Sequence, residues 1–375
     1  MKIAFVYDVP YPWHMGGIEK INRVEAEVLA NENEVHFFTM QWLGMKKDFV
    51  DHNIHYHTFF PVTTGTFYRH KRRSIRTAIF FSLSLFRIFR YRFDVLIIDQ
   101  FPYLHIPIAL LYGKLKGCKV IIRVAEVWDN GYWNDYAGKI FGNAGYYISK
   151  LFVGKGDVYI ANSSLTSDRM HKILHIEKKR ISIFTPVIDN FLIKNIKNEH
   201  ITRKYDVIFV GRFIKEKRID KWLEIIKELK RINKNINTIL IGDGPEKNEI
   251  KNIIKKSGLK ENVKIIPHIK KTGELYRVMR SASVMLNMSE REGLSMVTLE
   301  SLSLGTPVVI PTYSPIPNEV KSMCIVEKEE DIPKRIIGIL NGKKTEKKIK
   351  NYENLKIFYI SYINDFYKKI FKRIL

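Results

Sequence analysis

The chain has 375 residues, 45% of them hydrophobic, and its 63 lysines and arginines against 39 aspartates and glutamates give a formal net charge of +24. That length suits two domains of ordinary size, and that apolar content argues against a disordered chain. The charge calls for a polyanionic partner, while two cysteines, Cys118 and Cys324, without metal-ligand spacing argue against a disulfide framework or structural zinc and fit a reducing cytoplasm.

The run KIAFVYD (2–8) reads as a buried strand rather than a signal peptide. It is followed by the glycine loop YPWHMGGIEK and a helix from about Ile18 to Ala30. EVHFFTM, VLIID, VIIRV and VYIAN are short β-branched or aromatic runs separated by helix-like stretches. Such alternation predicts a parallel sheet with crossover helices. The polar stretch DNFLIKNIKNEHITRK (189–204) reads as a linker, after which DVIFVG, TILIG, VKIIP, VMLNM and PVVIP restart the pattern. The expectation is therefore an α/β chain of two Rossmann-like, doubly wound domains, 1–190 and 205–351, joined by 191–204. A basic, aromatic, amphipathic helix is expected over 352–375.

Ligands of open α/β sheets bind beyond the carboxyl ends of the strands, so residues just after each strand carry the chemistry. Gly16 and Gly17 precede a helix, where bare backbone can approach a phosphate, although an ordinary strand-to-helix turn reads equally well. The G-x-G-x-x-G fingerprint is absent, which counts against a nicotinamide dehydrogenase. In VGRFIKEKRID, Arg212 follows the strand and Lys217 stands near the next helix, where the pair could neutralise a departing diphosphate, although two ordinary surface cations of a very basic chain are the better reading of the segment alone. No Asp-x-Asp pair occurs in the chain, so a metal-held diphosphate of that kind is unsupported.

In SEREGLSMVTLESLSLGTPVV (289–309), Glu292 and Glu300 are eight residues apart. On one helix that spacing would rotate them about 800°, leaving them about 80° apart. Placing Glu292 on a loop and Glu300 on a helix over Met296 to Leu304 lets both face the strand mouth, where carboxylates accept hydrogen bonds from sugar hydroxyls. The backbone N–H groups of Gly293, Leu294 and Ser295 would then open the helix, a position suited to an anion. Two solvated helix charges are the alternative.

MGGIEK, VGRFIKEKRID, IGDGPEKNEI and SEREGLSMVTLESLSLGTPVV together resemble the retaining GT-B glycosyltransferases of glycosyltransferase family 4 (glycosyl transferases group 1), in that family's order and spacing. The resemblance implies two domains facing a central cleft, with the acceptor on the first and the nucleotide sugar on the second. It implies that Glu292 faces the transferred sugar, that Glu300 holds the ribose, that Arg212 and Lys217 bind the diphosphate, and that Gly16 and Gly17 lie beneath it. It further implies a UDP- or GDP-linked donor, no metal, no cofactor, retained anomeric configuration, and a C-terminal helix that packs back on the first domain. A catalytically silent subunit that binds a nucleotide sugar or glycan is the alternative.

The chain departs from the family's pattern in places. Ala125 and Glu126 stand where many members carry His-Asp, and Glu126 with Trp128 resembles the acidic residue and tryptophan of a branch acting on bacterial surface polysaccharides; an ordinary cap or loop charge is the equal alternative for Glu126. Ser295 and His268 replace common glycines. His14 and His105 are cleft candidates by position alone. From His52 to Phe93 there is no acidic residue, and RHKRRSIRTAIFFSLSLFRIFRYRF (69–93) sets eight cations around an apolar run of about 15 residues. That run falls short of a span of roughly 20 residues. It suits an interfacial helix on an anionic membrane through 69–92, on the cytoplasmic face, with KKIFKRIL joining the same surface; a first-domain helix with a buried face is the alternative. A lipid-linked saccharide acceptor would match such attachment. Nucleic acid is disfavoured, because no binding module is present and the basic run is apolar.

Overall fold

A computed structural model describes residues 1–13, 17–63, 68–69, 72–185, 188, 190–342 and 360–375. Gly16, His14, part of the 69–92 segment and residues 352–359 of the expected terminal helix lie outside the described residues. The chain divides into two compact units, Met1–Val187 with Ile360–Leu375, and Ile188–Tyr359.

The first unit is built on strands β1 (Lys2–Val6), β2 (Glu34–Trp42), β3 (Phe49–Asp51), β4 (Ile54–Val62), β5 (Val95–Asp99), β6 (Lys119–Val124), β7 (Val158–Ala161) and β8 (Ile181–Ile183). They run in the order β8-β7-β6-β5-β1-β2-β4-β3. Every pairing is parallel except β3 with β4. The central β5, VLIID, is buried at every position, as a strand covered on both faces must be. Helix α1 (Gly17–Leu29) carries the chain from β1 to β2. Helices α2 (Ile75–Ser84), α3 (Ile106–Lys116), α4 (Asn130–Ala137) with α5 (Lys139–Ile148), and α6 (Ser164–Leu174) return it stepwise from β4 through β5, β6 and β7 to β8. Those steps run in the opposite direction along the sheet. With right-handed crossovers, α1 therefore covers one face and α2, α3 and α5 the other.

The second unit opens with α7 (Asn190–Asn198). This corrects the linker reading of 191–204. Ile193 and Ile196 are buried in the unit's core, so the asparagine- and lysine-rich stretch is the outer face of an amphipathic helix. Arg277 ties that helix down through two bonds of 2.7 Å to Glu199. Strands β9 (Tyr205–Val210), β10 (Thr238–Ile241), β11 (Val263–Ile266), β12 (Ala282–Leu286), β13 (Val308–Pro311) and β14 (Ile325–Glu327) form an all-parallel sheet in the order β11-β10-β9-β12-β13-β14. Helices α8 (Ile219–Ile232), α9 (Lys247–Lys256), α10 (Thr272–Arg280), α11 (Met296–Ser303), α12 (Asn318–Lys321) and α13 (Ile332–Leu340) connect or flank them. In α8, Ile219, Trp222, Leu223, Ile226 and Leu229 face inward at helical spacing while lysines and glutamates face out. The strand order reverses between β9 and β12, and in such sheets that reversal opens the ligand crevice.

Residues from Ile360 onward return to the first unit as α14 (Ile360–Ile374), which packs on α1. Its Ile363, Tyr367 and Ile370 are buried. The basic C-terminus thus lies on the α1 face, opposite α2, and does not join the described part of the basic run of 69–92. Tyr367 donates its hydroxyl to Glu25 Oε2 at 2.6 Å. Arg123, from β6, pairs with the same carboxylate and, at 2.7 Å, with Asp99 at the end of β5; Asn22 donates to Asp99 at 2.6 Å. All five side chains are buried. Burial pushes the Glu25 and Asp99 carboxyls up from their usual range. Arg123, held between the two, stays charged, and a buried charge keeps its place only while so paired.

Candidate active site

Two loops of the second unit converge beyond the carboxyl ends of β9 and β12. The first starts at Gly211 and is held against the loop after β10: Phe213 N donates to Asp243 O at 2.9 Å, and Glu246 N to Phe213 O at 3.0 Å. Glycine is required for that approach. A Cβ on Gly242, at φ +149°, would lie 1.9 Å from the carbonyl oxygen of Gly211, and one on Gly244 would lie 2.4 Å from that of Phe213. The exposed Arg212 sits between these anchors, with no ion-pair partner among the described residues.

The loop then turns through Lys215–Lys217 and, with Arg218 in the left-handed region, enters α8. Glu290 N donates to Glu216 O at 3.0 Å, Arg218 Nη1 to Glu290 Oε2 at 2.9 Å, and Lys217 Nζ to Glu292 Oε1 at 2.6 Å. Three contacts therefore join the β9 loop to the β12 loop. Arg218 and Glu290 form the outer pair, and nothing in their spacing distinguishes them from ordinary surface charges.

Glu292 stands on the loop between β12 and α11, while Glu300 is the fifth residue of α11, where Tyr276 of α10 donates its hydroxyl to Oε1 at 2.9 Å. The hydrogen bond fixes the Glu300 carboxylate in direction and leaves acceptor capacity on it. Tyr276 gave no signal in the sequence beyond an apolar helix position. Leu294 is buried and its backbone leads into Ser295, which takes φ 68° and ψ 74°. A non-glycine residue in that region is strained. Here the serine is held by Thr298, its Oγ 2.8 Å from Thr298 Oγ1, and by Asn287, whose Nδ2 donates to Ser295 and Thr298 at 3.1 Å each. Asn287 Oδ1 also accepts from Ser289 N at 3.0 Å. Lys217, Asn287, Ser289 and Val297 line one pocket, and the buried Ser289 hydroxyl makes no hydrogen bond among the described residues.

The remaining candidates stand apart from this group. Gly17 is the exposed first residue of α1, whose first turn also carries the buried Glu19, so a carboxylate already stands near that positive helix end. Glu126 lies on the loop after β6, where its carbonyl accepts from Gln100. Trp128 is buried among aromatic rings, 4.8 Å from Phe101, 4.6 Å from Tyr132 and 4.9 Å from both Trp133 and Tyr136. It offers little open face to a sugar; the partly exposed Tyr132 and Tyr136 are the accessible rim. His105 is fully buried against Phe81, which removes it from any open site. His268 is exposed on the loop after β11. Among the described residues no group of three His, Cys, Asp or Glu side chains is placed to hold a metal ion.

Residues 15–190 match the family described as Glycosyltransferase Family 4, and residues 193–356 match Glycosyl transferases group 1. The chain is a member of the GT-B glycosyltransferases. Its two Rossmann-like sheets align end to end with the sucrose-phosphate synthase of Thermosynechococcus elongatus, at a TM-score of 0.78, 14% identity and 99% coverage of both chains. Anabaena HepE in complex with UDP aligns at a TM-score of 0.71, 13% identity and 100% coverage of both. The amylovoran biosynthesis glycosyltransferase AmsD of Erwinia amylovora is 34% identical over 103 residues, 28% of each chain. Alignments with this and two other curated relatives of the glycosyltransferase span 28% to 58% of those proteins' length.

Proposed function

We propose that the protein transfers a sugar, with retention of anomeric configuration, from a UDP- or GDP-linked donor to a glycan or lipid-linked saccharide. The observation that carries this reading is the joining of the β9 and β12 loops by Lys217 and Glu292 at the strand-order reversal, with Arg212 exposed beside them and Glu300 held by Tyr276. The amylovoran relative supports a role in surface polysaccharide synthesis, and the UDP bound by the similarly folded HepE supports a uridine nucleotide.

Loss of a sugar from a diphosphate leaves negative charge on the departing group. Arg212 and Lys217 would neutralise it without a metal ion, aided by the N–H groups of Gly293, Leu294 and Ser295 at the start of α11. Diphosphate entry would draw Lys217 from Glu292, freeing that carboxylate to accept hydrogen bonds from the transferred sugar. Glu300, already oriented, would accept from the ribose hydroxyls. The leaving phosphate itself would take the acceptor's proton, so no side chain is assigned as general base. Gly16 and Gly17 would lie beneath the diphosphate, and Glu126 would meet the sugar or acceptor, with Trp128 setting the wall behind it. The segment 69–92 would hold the enzyme on the cytoplasmic face of an anionic membrane.

The test is a panel of nucleotide sugars assayed for slow donor hydrolysis, followed by lipid-linked saccharides as acceptors and assignment of the new linkage by NMR. One donor hydrolysed in a Glu292-dependent manner, with its anomeric configuration kept in the product, is the expected result. Nucleotide-sugar binding without turnover across the panel would instead make the protein a silent binding subunit.

A further inference from the structure

The described part of the acid-free stretch 69–92 from Ile75 onward is one part of a larger surface. Helices α2, α3 and α5 lie on the same face of the first sheet. Segment Leu85–Arg90, which continues α2, packs against α3, with Phe89 and Tyr112 rings 5.4 Å apart. On the other side of α3 lies Ser149–Val153, the π-helical turn that extends α5. The outward sides of all three helices are apolar. On the first segment Ile75, Ile79, Leu83 and Phe86 are exposed, while Phe81, Leu85 and Ile88 fill the core behind them. On α3, Leu111 and Leu115 are exposed. On α5 and its extension the exposed residues are Ile140, at 82%, Phe141, Tyr147 and Leu151. Positions 140, 144, 147 and 151 fall on one stripe at helical spacing.

Charge on this layer has one sign. Segments 75–93, 106–118 and 136–156 contain no aspartate or glutamate. Arg76, Arg90, Lys114, Lys116, Lys139 and Lys150 are exposed among the apolar side chains. Arg87 pairs with Asp48 of a neighbouring loop at 3.8 Å, and the exposed Asp135 of α4 stands at the edge of the layer beside α5. Apolar rows on three adjacent helices exceed the scattered hydrophobics of an ordinary surface. The predominantly basic surround selects an anionic partner that also takes up apolar side chains, which is the chemistry of an acidic lipid surface and not of a polar polyanion.

We infer that the outer face of the α2–α3–α5 layer is a single membrane-docking surface, with α5 and its extension as a second anchor beside the 69–92 segment. The inference rests on the membrane attachment proposed above and extends it to helices that no charge run in the sequence marks out. The test uses the full chain sedimented with vesicles of phosphatidylcholine alone or mixed with phosphatidylglycerol. Wild type is expected to bind only the mixed vesicles, and to be released by salt. The triple variant Ile140→Ser, Phe141→Ser, Leu151→Ser is expected to bind them at least about tenfold more weakly, with unchanged melting and nucleotide binding, since these side chains are exposed. If that variant binds as wild type while Ile79→Ser, Leu83→Ser releases the protein, the second anchor is wrong and attachment through 69–92 stands. If wild type binds no vesicle, both attachments fail and the donor chemistry is untouched. A dimer broken by the same variants, or RNA binding that outcompetes vesicles, would assign the face to another partner and overturn the inference.

Discussion

Lys217 Nζ lies 2.6 Å from Glu292 Oε1, in a pair that is largely buried and spans the two loops at the strand-order reversal. An ion pair at this place holds the cation and the carboxylate in position, and on the proposed function each would be released to a different part of the donor. Replacing Glu292 with Gln should lower donor turnover by about a hundredfold or more while leaving UDP affinity within about tenfold. Replacing Lys217 with Ala should weaken UDP binding by about 10- to 100-fold, through loss of a charge-assisted hydrogen bond. Calorimetric titration with UDP, set beside initial rates of donor hydrolysis, separates the two effects.

Ser295 occupies a strained backbone position, and its hydroxyl links Asn287 to Thr298. Ser295→Ala keeps the strain and removes the link, so it should destabilise the second unit by about 1–2 kcal/mol. Ser295→Gly loses the same hydrogen bonds but relieves the backbone, and should cost less. Urea unfolding of the two variants reads the difference, and equal losses would show that strain contributes nothing there.

The Arg123 network ties four elements of the first unit together. Arg123→Met would leave the Glu25 and Asp99 carboxylates buried without their cation, at a cost of about 3–5 kcal/mol. Tyr367→Phe would remove one hydrogen bond to Glu25 and should cost about 1–3 kcal/mol. Thermal unfolding of the full chain should show the larger loss in Arg123→Met.

His57 stacks 5.1 Å from His36, whose Nδ1 lies 2.8 Å from His57 Nε2; Glu34, Lys2, Asp48, Arg87 and Tyr91 face the same cluster. Burial, reinforced by the neighbouring His36, lowers the His57 imidazole from 6.5 to about 4. Its contribution is therefore complete above about pH 6.5 and falls away as the pH drops toward 4, because the unfolded chain binds the proton more readily. The loss should be on the order of 1–2 kcal/mol, since the ring is partly exposed to solvent. Melting temperatures of wild type and His57→Gln between pH 7 and 4 should converge as the pH falls.

The doubly wound architecture was legible because its strands are short β-branched runs with longer amphipathic stretches between them, a pattern that tertiary contacts do not need to explain. The stretch 191–204 misled because α7 buries only Ile193 and Ile196, too few apolar residues to stand out among lysines and asparagines. In the site, Arg212, Lys217 and Glu292 were visible as charges on loops that follow strands, and Glu300 as a charge on the helix after one of those loops. Their partners were not. Tyr276, Asn287, Ser289 and Glu290 acquire meaning only when separate loops meet, and no local period encodes that meeting. The burial of Trp128 and His105 was likewise invisible, because aromatic residues in a loop read the same whether they line a surface or fill a wall.

The position of α14 bears on how the protein is made. Tyr367 completes the hydrogen bonding of Glu25, yet the ribosome adds it only after the whole of the second unit has been synthesised. Domains generally fold as their sequences emerge. Here the unit that is started first is finished last, holding a buried carboxylate short of its tyrosine until the closing residues arrive. A fragment ending before Ile360 would remain in that unfinished state, and supplying residues 360–375 as a separate peptide should restore it.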